Sequence, residues 1–257
     1  MRKRLTAALL AATAALVLAG CGSSSSSGGG GDLTVSAASS LTDAFPAYAR
    51  SLDGAVRFQF AGSDELAAQI RQGVKPDVFA AASPRFPERL HAEGLVGRPV
   101  AFTTNRLVLA VPHGSSIRSL ADLAKPGTTI AIGSPDVPIG SYTRDVLARL
   151  GRARADAILA HVRSEEPDVK GIVGKLAQGA VDAGFVYVTD AKAAGSRLTA
   201  IALPARLQPL VVYEAAVVTG APHAARARAF VAGLMGADAQ TALKAAGFGV
   251  APATAQG

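Results

Sequence analysis

The sequence predicts an α/β fold divided into two lobes, each a mostly parallel sheet flanked by helices. Three observations carry that expectation. Short β-prone runs alternate with helical patterns from residue 32 to the C-terminus, the signature of βαβ units. An N-terminal leader of 20 residues leaves 237 of the 257, which suits two lobes of roughly 100 residues better than one small domain. Two long β-prone runs, Asn105–Pro112 and Leu210–Val218, bracket the middle of the chain. The simplest topology builds one lobe from both ends (residues 32–108 plus 213–257) and the other from the middle (residues 109–212). The two long runs are then the crossovers and hinge.

The leader begins with Arg2, Lys3 and Arg4, followed by an apolar run from Leu5 to Leu18 that is too short to span a bilayer comfortably. That is the pattern of a secretory signal peptide over residues 1–20. It ends in Leu18-Ala19-Gly20-Cys21, which resembles a bacterial lipobox and implies cleavage before Cys21 and lipidation of that cysteine. A soluble exported protein cut at a nearby small residue is the alternative. Cys21 is the only cysteine, which excludes a disulfide framework and a thiolate metal cluster. Residues 22–31 contain only Ser and Gly, a flexible coil with an r.m.s. span of roughly 18 Å. The expected location is outside the cytoplasm, lipid-anchored to the outer face of the cell membrane or free in the periplasm. Loss of Arg2, Lys3 and Arg4 lowers the formal charge from +7 to +4. That mild excess, with no basic run interleaved with aromatics, gives no footprint for nucleic acid.

In chain order, Leu33–Ala37 reads as a strand, and Leu41, Phe45, Tyr48 and Ala49 recur at helical spacing after it. Ala55–Phe60 alternates polar and apolar residues as a strand, and Ser63 leads a helix with Leu66, Ala67 and Ile70 on one face, up to Gly73. Asp77–Ala82 is a third strand, and Ser83 opens a short helix through Leu90 to Gly94. After the first long β-prone run come a short helix over Leu120–Ala124, a strand over Thr128–Gly133, a loop over Ser134–Ser141 and a helix carrying Tyr142, Val146, Leu147 and Leu150. A helix is expected over Ala155–Val162, and another with Val169, Ile172, Val173 and Leu176 inward. Ala183–Tyr187 and Leu198–Leu203 read as strands, and after the second long run helices close the chain around Ala224–Leu234 and Ala237–Ala245.

Four places share one design, in which small or polar residues meet a helix start: Ser39-Ser40, Gly62-Ser63, Val137–Ser141 and Asp168-Val169. Free N–H groups and hydroxyls at the positive end of a helix dipole can hold an anion. Each taken alone reads more readily as an ordinary helix cap, and Ser40-x-x-Asp43 resembles a capping box. Two lie in the first part of the chain and two in the middle section, so a hinged pair of lobes can bring them onto one small anion. Tyr187, at a strand end, offers a phenolic donor or is simply a half-buried tyrosine.

The order and spacing of several segments resemble the periplasmic molybdate-binding proteins of bacterial import systems over essentially the whole mature chain. The resemblance is carried by Leu33–Thr42, by Phe60-Ala61-Gly62-Ser63 with Leu66–Ile70, and by Pro76-Asp77-Val78-Phe79. Asp136–Tyr142, Asp168-Val169-Lys170, Gly184–Tyr187 and Asp190-Ala191 continue it. It implies a type II periplasmic-binding-protein fold closing on a tetrahedral oxyanion, and a receptor that hands molybdate, and tungstate with it, to the membrane permease of an ABC importer. It further implies a monomer without cofactor or direct protein–metal ligand. The family's contacts fall on Ser40 and Ser63 as hydroxyl donors, on the backbone N–H groups of Ile139 and Val169, and on the Tyr187 phenol. Ile139 stands where the family commonly has alanine, and Gly62 replaces a serine. Asp64 and Glu65, close to the proposed anion, are expected to point away from it. No Lys or Arg occupies a matched position, so the ligand is expected to be held by neutral donors.

Other functions find less in the sequence. His91, His113, His161 and His223 are scattered without metal-ligand spacing, and no G-x-S-x-G elbow occurs, so no catalytic residue is assigned and no enzyme is expected. An exported iron-binding protein would call for clustered Tyr, His or carboxylates, whereas Tyr48, Tyr142, Tyr187 and Tyr213 are far apart in sequence. A receptor for another tetrahedral oxyanion, whether sulfate, phosphate or tungstate alone, remains a live alternative.

Overall fold

The computed structural model describes residues 31–252. The signal peptide, Cys21 and all of the linker but Gly31 lie outside the described residues. The strands follow in chain order as β1 (Leu33–Ala38), β2 (Val56–Ala61), β3 (Val78–Ala81), β4 (Val100–Asn105), β5 (Leu107–Pro112), β6 (Ile130–Gly133), β7 (Val162–Glu166), β8 (Ala183–Tyr187), β9 (Leu198–Ala202) and β10 (Val211–Val217). They form two five-stranded sheets, in the orders β2-β1-β3-β10-β4 and β7-β6-β8-β5-β9.

The two sheets repeat one plan. In each, three neighbouring strands pair in parallel and the fourth place is taken by a strand antiparallel to both neighbours, β10 in the first sheet and β5 in the second. The sheets are therefore mixed rather than mostly parallel in their pairing. Each reversed strand is the first one the chain makes after crossing from the other sheet. A threonine–aspartate clasp also recurs at the base of both. In the first sheet Asp77 Oδ2 accepts from Thr34 N at 2.8 Å and Thr34 Oγ1 at 2.9 Å, while Asp77 N donates to Thr34 O at 2.8 Å. In the second, Asp182 Oδ2 accepts from Thr129 N at 2.8 Å and Thr129 Oγ1 at 2.6 Å, while Asp182 N donates to Thr129 O at 2.9 Å.

Strands β3, β6 and β8 are buried along their whole length and read as unbroken small or apolar runs, as central strands covered on both faces do. Edge strand β2 keeps the alternation of Val56, Phe58 and Phe60 against exposed Arg57 and Gln59. The helices are α1 (Ala44–Ala49), α2 (Ser63–Arg71), α3 (Arg85–Ala92), α4 (Pro138–Ala148), α5 (Arg152–Leu159), α6 (Val169–Ala177), α7 (Val188–Ala194), α8 (Ala224–Gly233) and α9 (Ala237–Ala246). On one face of the first sheet, Leu66, Ile70, Phe86 and Leu90 from α2 and α3 pack on Phe79 and Ala81. On the other, Phe45 of α1 meets Phe102 of β4 and Phe230 of α8 at ring-centroid distances of 5.8 and 5.6 Å. Together such contacts supply most of the stabilisation of these short helices.

Several expectations are corrected. The expected lobe boundaries, after residues 108 and 212, fall inside strands. Leu107–Pro112 pairs within the second sheet and Val211–Val217 within the first. The chain crosses at Arg106 and returns through Gln208–Leu210, so the long β-prone runs are sheet strands and the crossovers are the short segments beside them. The Gln208 side chain ties the crossings together, accepting from Leu107 N at 3.2 Å and donating to Leu107 O at 2.8 Å. Val100–Asn105 forms a strand that the sequence pattern did not isolate, and Val188–Ala194 a helix it did not suggest. Helix α5 stops at Leu159, so that Val162, expected at a helix end, opens β7. Helix α4 begins at Pro138, inside the expected loop, because proline is well suited to the first helical position.

Candidate functional site

The carboxyl ends of β1, β2, β3, β6, β7 and β8 converge on one pocket. It is lined by Ala38, Ser39, Ser40, Ala61, Gly62, Ser63 and Ala82 from the first lobe, and by Val137, Pro138, Ile139, Asp168, Val169 and Tyr187 from the second. Ligands in open α/β sheets gather at such strand ends. The cavity volume is about 20 Å3, far below the roughly 300–1,000 Å3 of sites for drug-sized ligands. All five residues singled out as donors, Ser40, Ser63, Ile139, Val169 and Tyr187, line it.

The local structure at each of these five positions decides which polar group it can present to the pocket. Residues Ser39–Leu41 form a single 3-10 turn after β1, and the capping box expected between Ser40 and Asp43 does not form, since neither side chain caps a helix there. The Ser40 hydroxyl instead meets the buried Tyr213 hydroxyl at 2.8 Å. Ser63 is the first residue of α2, and its Oγ accepts from Ala82 N at 3.1 Å. A backbone N–H can only donate, so the Ser63 proton is left for the pocket.

Helix α4 starts at Pro138, which has no N–H, so Ile139 and Gly140 carry its first amide donors, which lack an intrahelical acceptor. A Cβ on Gly140 would collide with the carbonyl oxygens of Gly133 and Ser134, so glycine lets this first turn press against the end of β6. At α6 the Asp168 carboxylate accepts from Lys170 N at 2.7 Å and Gly171 N at 3.1 Å. This caps the second and third amides and leaves that of Val169, the first helical residue, uncommitted.

Tyr187 closes β8 and is 1 % exposed, yet among the described residues its hydroxyl has no hydrogen-bond partner. Leaving such a group unpaired costs about 1–3 kcal/mol, so a buried donor of this kind marks a place for an acceptor. Burial pushes its phenol well above the ordinary value of 10, with Tyr213, Tyr142 and Asp190 adding to the shift, so it keeps its proton.

Among the described residues no Lys or Arg lines the pocket. Lys170, next to Val169, is turned to the buried Asp190 at 3.1 Å and lies 3.9 Å from Asp43 of the other lobe. Burial raises the Asp190 carboxyl to about 6, with Lys170 opposing and Asp43 and Asp168 adding to the rise. Glu65 faces out, accepting from Gln69 at 3.1 Å in an exposed contact, as expected. Asp64 also stays off the pocket lining, but its Oδ1 is buried and, among the described residues, without a partner, and burial raises its carboxyl. Across the mouth, Arg85 and Asp136 approach to 3.8 Å, and Gly62 faces the Pro167 carbonyl.

The tyrosines that are far apart in sequence are not all apart in space. Tyr187 and Tyr213 pack edge to face with centroids 6.1 Å apart. Both phenols are pushed upward by burial, which disfavours the phenolate an iron site needs. Among the described residues no group of three or more His, Cys, Asp or Glu is placed to hold a metal ion. Tyr213 and its neighbour Asn105 are the residues that sequence reasoning missed. Tyr213 sits in an unremarkable β-prone run, 173 residues from the serine it touches.

The sequence profile of the bacterial extracellular solute-binding proteins matches residues 33–249. The chain belongs to that family. It is 36 % identical over 226 residues to the molybdate-binding protein ModA of Mycobacterium tuberculosis H37Rv, covering 84 % of each chain. It is 30 % identical to the molybdate-binding protein ModA of Haemophilus influenzae over 207 residues, 75 % of this chain and 80 % of that one. The periplasmic molybdate-binding protein of Azotobacter vinelandii superposes with a TM-score of 0.77 at 27 % identity, covering 86 % of this chain and all of the other. These relatives are solute-binding proteins, and the two-lobed α/β fold of this chain is theirs.

Proposed function

We propose that this protein captures molybdate, and tungstate with it, between its lobes outside the cytoplasm and delivers it to the permease of an ABC importer. The ligand is held by the hydroxyls of Ser40, Ser63 and Tyr187 and by the backbone N–H groups of Ile139 and Val169. Lipidation of Cys21 tethers the receptor to the membrane. One observation carries the reading: among the described residues, polar donors, at least one of them buried without a partner, surround a small pocket with no lining cation. Kinship with proteins named for molybdate binding supports the choice of ion. Neutral donors suit a fully deprotonated oxyanion, because a protonated one would present a donor to donors and lose about 1–3 kcal/mol, roughly one to two decades of affinity. Sulfate must be refused by size.

Calorimetric titration of the purified protein with molybdate, tungstate, sulfate and hydrogen phosphate tests this. Molybdate and tungstate are expected to bind at least tenfold more tightly than the other two, a gap of about 1.4 kcal/mol. Sulfate or phosphate binding as tightly as molybdate would overturn the choice of ion. Ser40→Ala and Ser63→Ala should each weaken molybdate binding without unfolding the protein, and unchanged affinity in both would sink the assignment of the site.

A further inference from the structure

We infer that Tyr213, held by Asn105, is a positioning residue that fixes the Ser40 hydroxyl as a donor toward the pocket. The inference rests on the oxyanion reading of that pocket and adds a determinant of which oxyanion it takes. Ser40 Oγ and Tyr213 Oη are 2.8 Å apart and buried, and in isolation either can be the donor. Their surroundings remove the choice. Arg106 N, which can only donate, donates to Asn105 Oδ1 at 2.9 Å, and this settles which end of the amide is oxygen. Asn105 Nδ2 then faces Thr189 Oγ1 at 3.0 Å and, in a longer contact, Tyr213 Oη at 3.4 Å. An amide nitrogen has no lone pair to accept with. The Tyr187 hydroxyl, though its ring packs on Tyr213, makes no hydrogen bond with it, so among the described residues Ser40 Oγ is the acceptor within reach of the Tyr213 proton, and the proton of Ser40 itself remains for the pocket.

Burial keeps the Tyr213 phenol protonated, so the relay does not fail by ionisation. The direction of donation thus runs from Asn105 at the crossover, through Tyr213 of β10, to Ser40 after β1. Ser63 is set the same way by Ala82 N–H. Both serine hydroxyls consequently keep their protons for the pocket, and each has one of its two lone pairs already committed, so each is biased toward donating rather than toward accepting from a protonated oxyanion.

The test compares molybdate and hydrogen phosphate binding to the purified full chain, to Ser40→Ala, to Tyr213→Phe and to the double variant. Tyr213→Phe is expected to weaken molybdate binding about two- to tenfold. It should narrow the molybdate-to-phosphate affinity ratio, because a released Ser40 hydroxyl can rotate to accept. In the Ser40→Ala background it should have no further effect, since its action passes through that hydroxyl. A purely structural role would instead change both affinities alike and add to the loss in the double variant, and that result overturns the inference. Asn105→Asp gives an independent reading if Tyr213→Phe does not fold. It keeps an oxygen for Arg106 N–H but offers Tyr213 an acceptor, which reverses the relay. The added charge opposes both dianions, so the expected signature is a narrowed ratio, and an unchanged ratio counts against the relay. Wild-type molybdate binding that responds to Ser40→Ala but not to Tyr213→Phe refutes this inference alone. Absence of molybdate binding by the wild type refutes the oxyanion reading and the relay together.

Discussion

Replacing Gly62 by alanine should weaken ligand capture while leaving the ligand-free protein as stable as before, or slightly more so. Gly62 has φ −60° and ψ 139°, extended backbone that alanine adopts without strain. The obstacle is the opposite lobe. A Cβ at this position would stand 2.6 Å from the Pro167 carbonyl oxygen, and 2.7 Å from Asp64 Oδ1 on its own helix. The aspartate can rotate, but the carbonyl belongs to the backbone between β7 and α6 and must be displaced with the second lobe. Overpacking of this kind costs about 1–3 kcal/mol. Because separating the lobes relieves it, the penalty falls on the closed state and appears as a dissociation constant raised roughly 5- to 150-fold. Gly→Ala at a compatible backbone position restricts the unfolded chain and stabilises by about 0.4–1 kcal/mol, which for a chain of this size raises the ligand-free melting temperature by roughly 1–4 °C. Titration calorimetry with molybdate and thermal melts with and without ligand read the two effects separately. Equal affinity in the variant, or a ligand-free melting temperature lowered in step with the affinity, would show that Gly62 is not a point of closure.

Two further expectations concern buried carboxyls. Asp190 has a folded pKa of about 6 against an ordinary 3.8, so its contribution to stability is fully present below about pH 4 and is lost as pH rises through 6. The gap corresponds to roughly 3 kcal/mol, so Asp190→Asn should gain on the wild type between pH 4 and 7 in denaturant titrations; parallel pH profiles would contradict it. Asp77 has the opposite sign. Burial pushes its carboxyl up, but hydrogen bonds from Thr34 and from His223 N and Nδ1, at 2.7 and 3.1 Å, outweigh that and hold it below the ordinary value. Its stabilisation is present at neutral pH and is lost as pH falls below about 4. Asp77→Asn should therefore cost about 2–4 kcal/mol at pH 7 and progressively less in acid, whereas Asp182→Asn in the exposed counterpart clasp should cost about 1 kcal/mol or less. Equal losses at the two positions would mean that burial does not set their worth.

What could be read in advance follows from where each segment sits. Strands β3, β6 and β8 are covered on both faces, so Asp77–Ala82, Thr128–Gly133 and Ala183–Tyr187 announced themselves as continuous small or apolar runs. Strand β7 is an edge, and Val162-Arg163-Ser164-Glu165-Glu166 is polar enough to pass for a connection. Strand β4 was missed because the chain crosses between sheets at Arg106 with no Gly or Pro to punctuate it. Helix α7 was missed because it follows β8 directly, with Tyr187 as its first cap position. The pocket-lining positions were legible because small residues before a helix start follow a local rule. Choosing Ser40 over Ser39 needed the family resemblance. The Asn105–Tyr213–Ser40 chain was illegible, since its members are brought together only when the first lobe is assembled from both ends of the sequence. The internal repeat escaped notice for a similar reason: it resides in strand order and in Thr–Asp pairs 43 and 53 residues apart, not in a recurring motif.

The repeat also bears on how a doubly charged ligand can be held without a cation. Helices α2, α4 and α6 all start at the pocket, and each N-terminus is equivalent to roughly half a positive charge. Under the proposed reading three such termini offset most of a dianion's charge, and the hydroxyls of Ser40, Ser63 and Tyr187 supply direction. A lysine in the pocket would add attraction that persists whether the lobes are closed or apart. The helix termini and hydroxyls act only at hydrogen-bond range, and they are divided between lobes, with Ser40, Ser63 and α2 on one and α4, α6 and Tyr187 on the other. Separation of the lobes therefore strips roughly half the donors from the ligand at once. Tight capture and ready release then follow from the same arrangement, with Lys170 kept out of the pocket by Asp190 and free to meet Asp43 across the cleft.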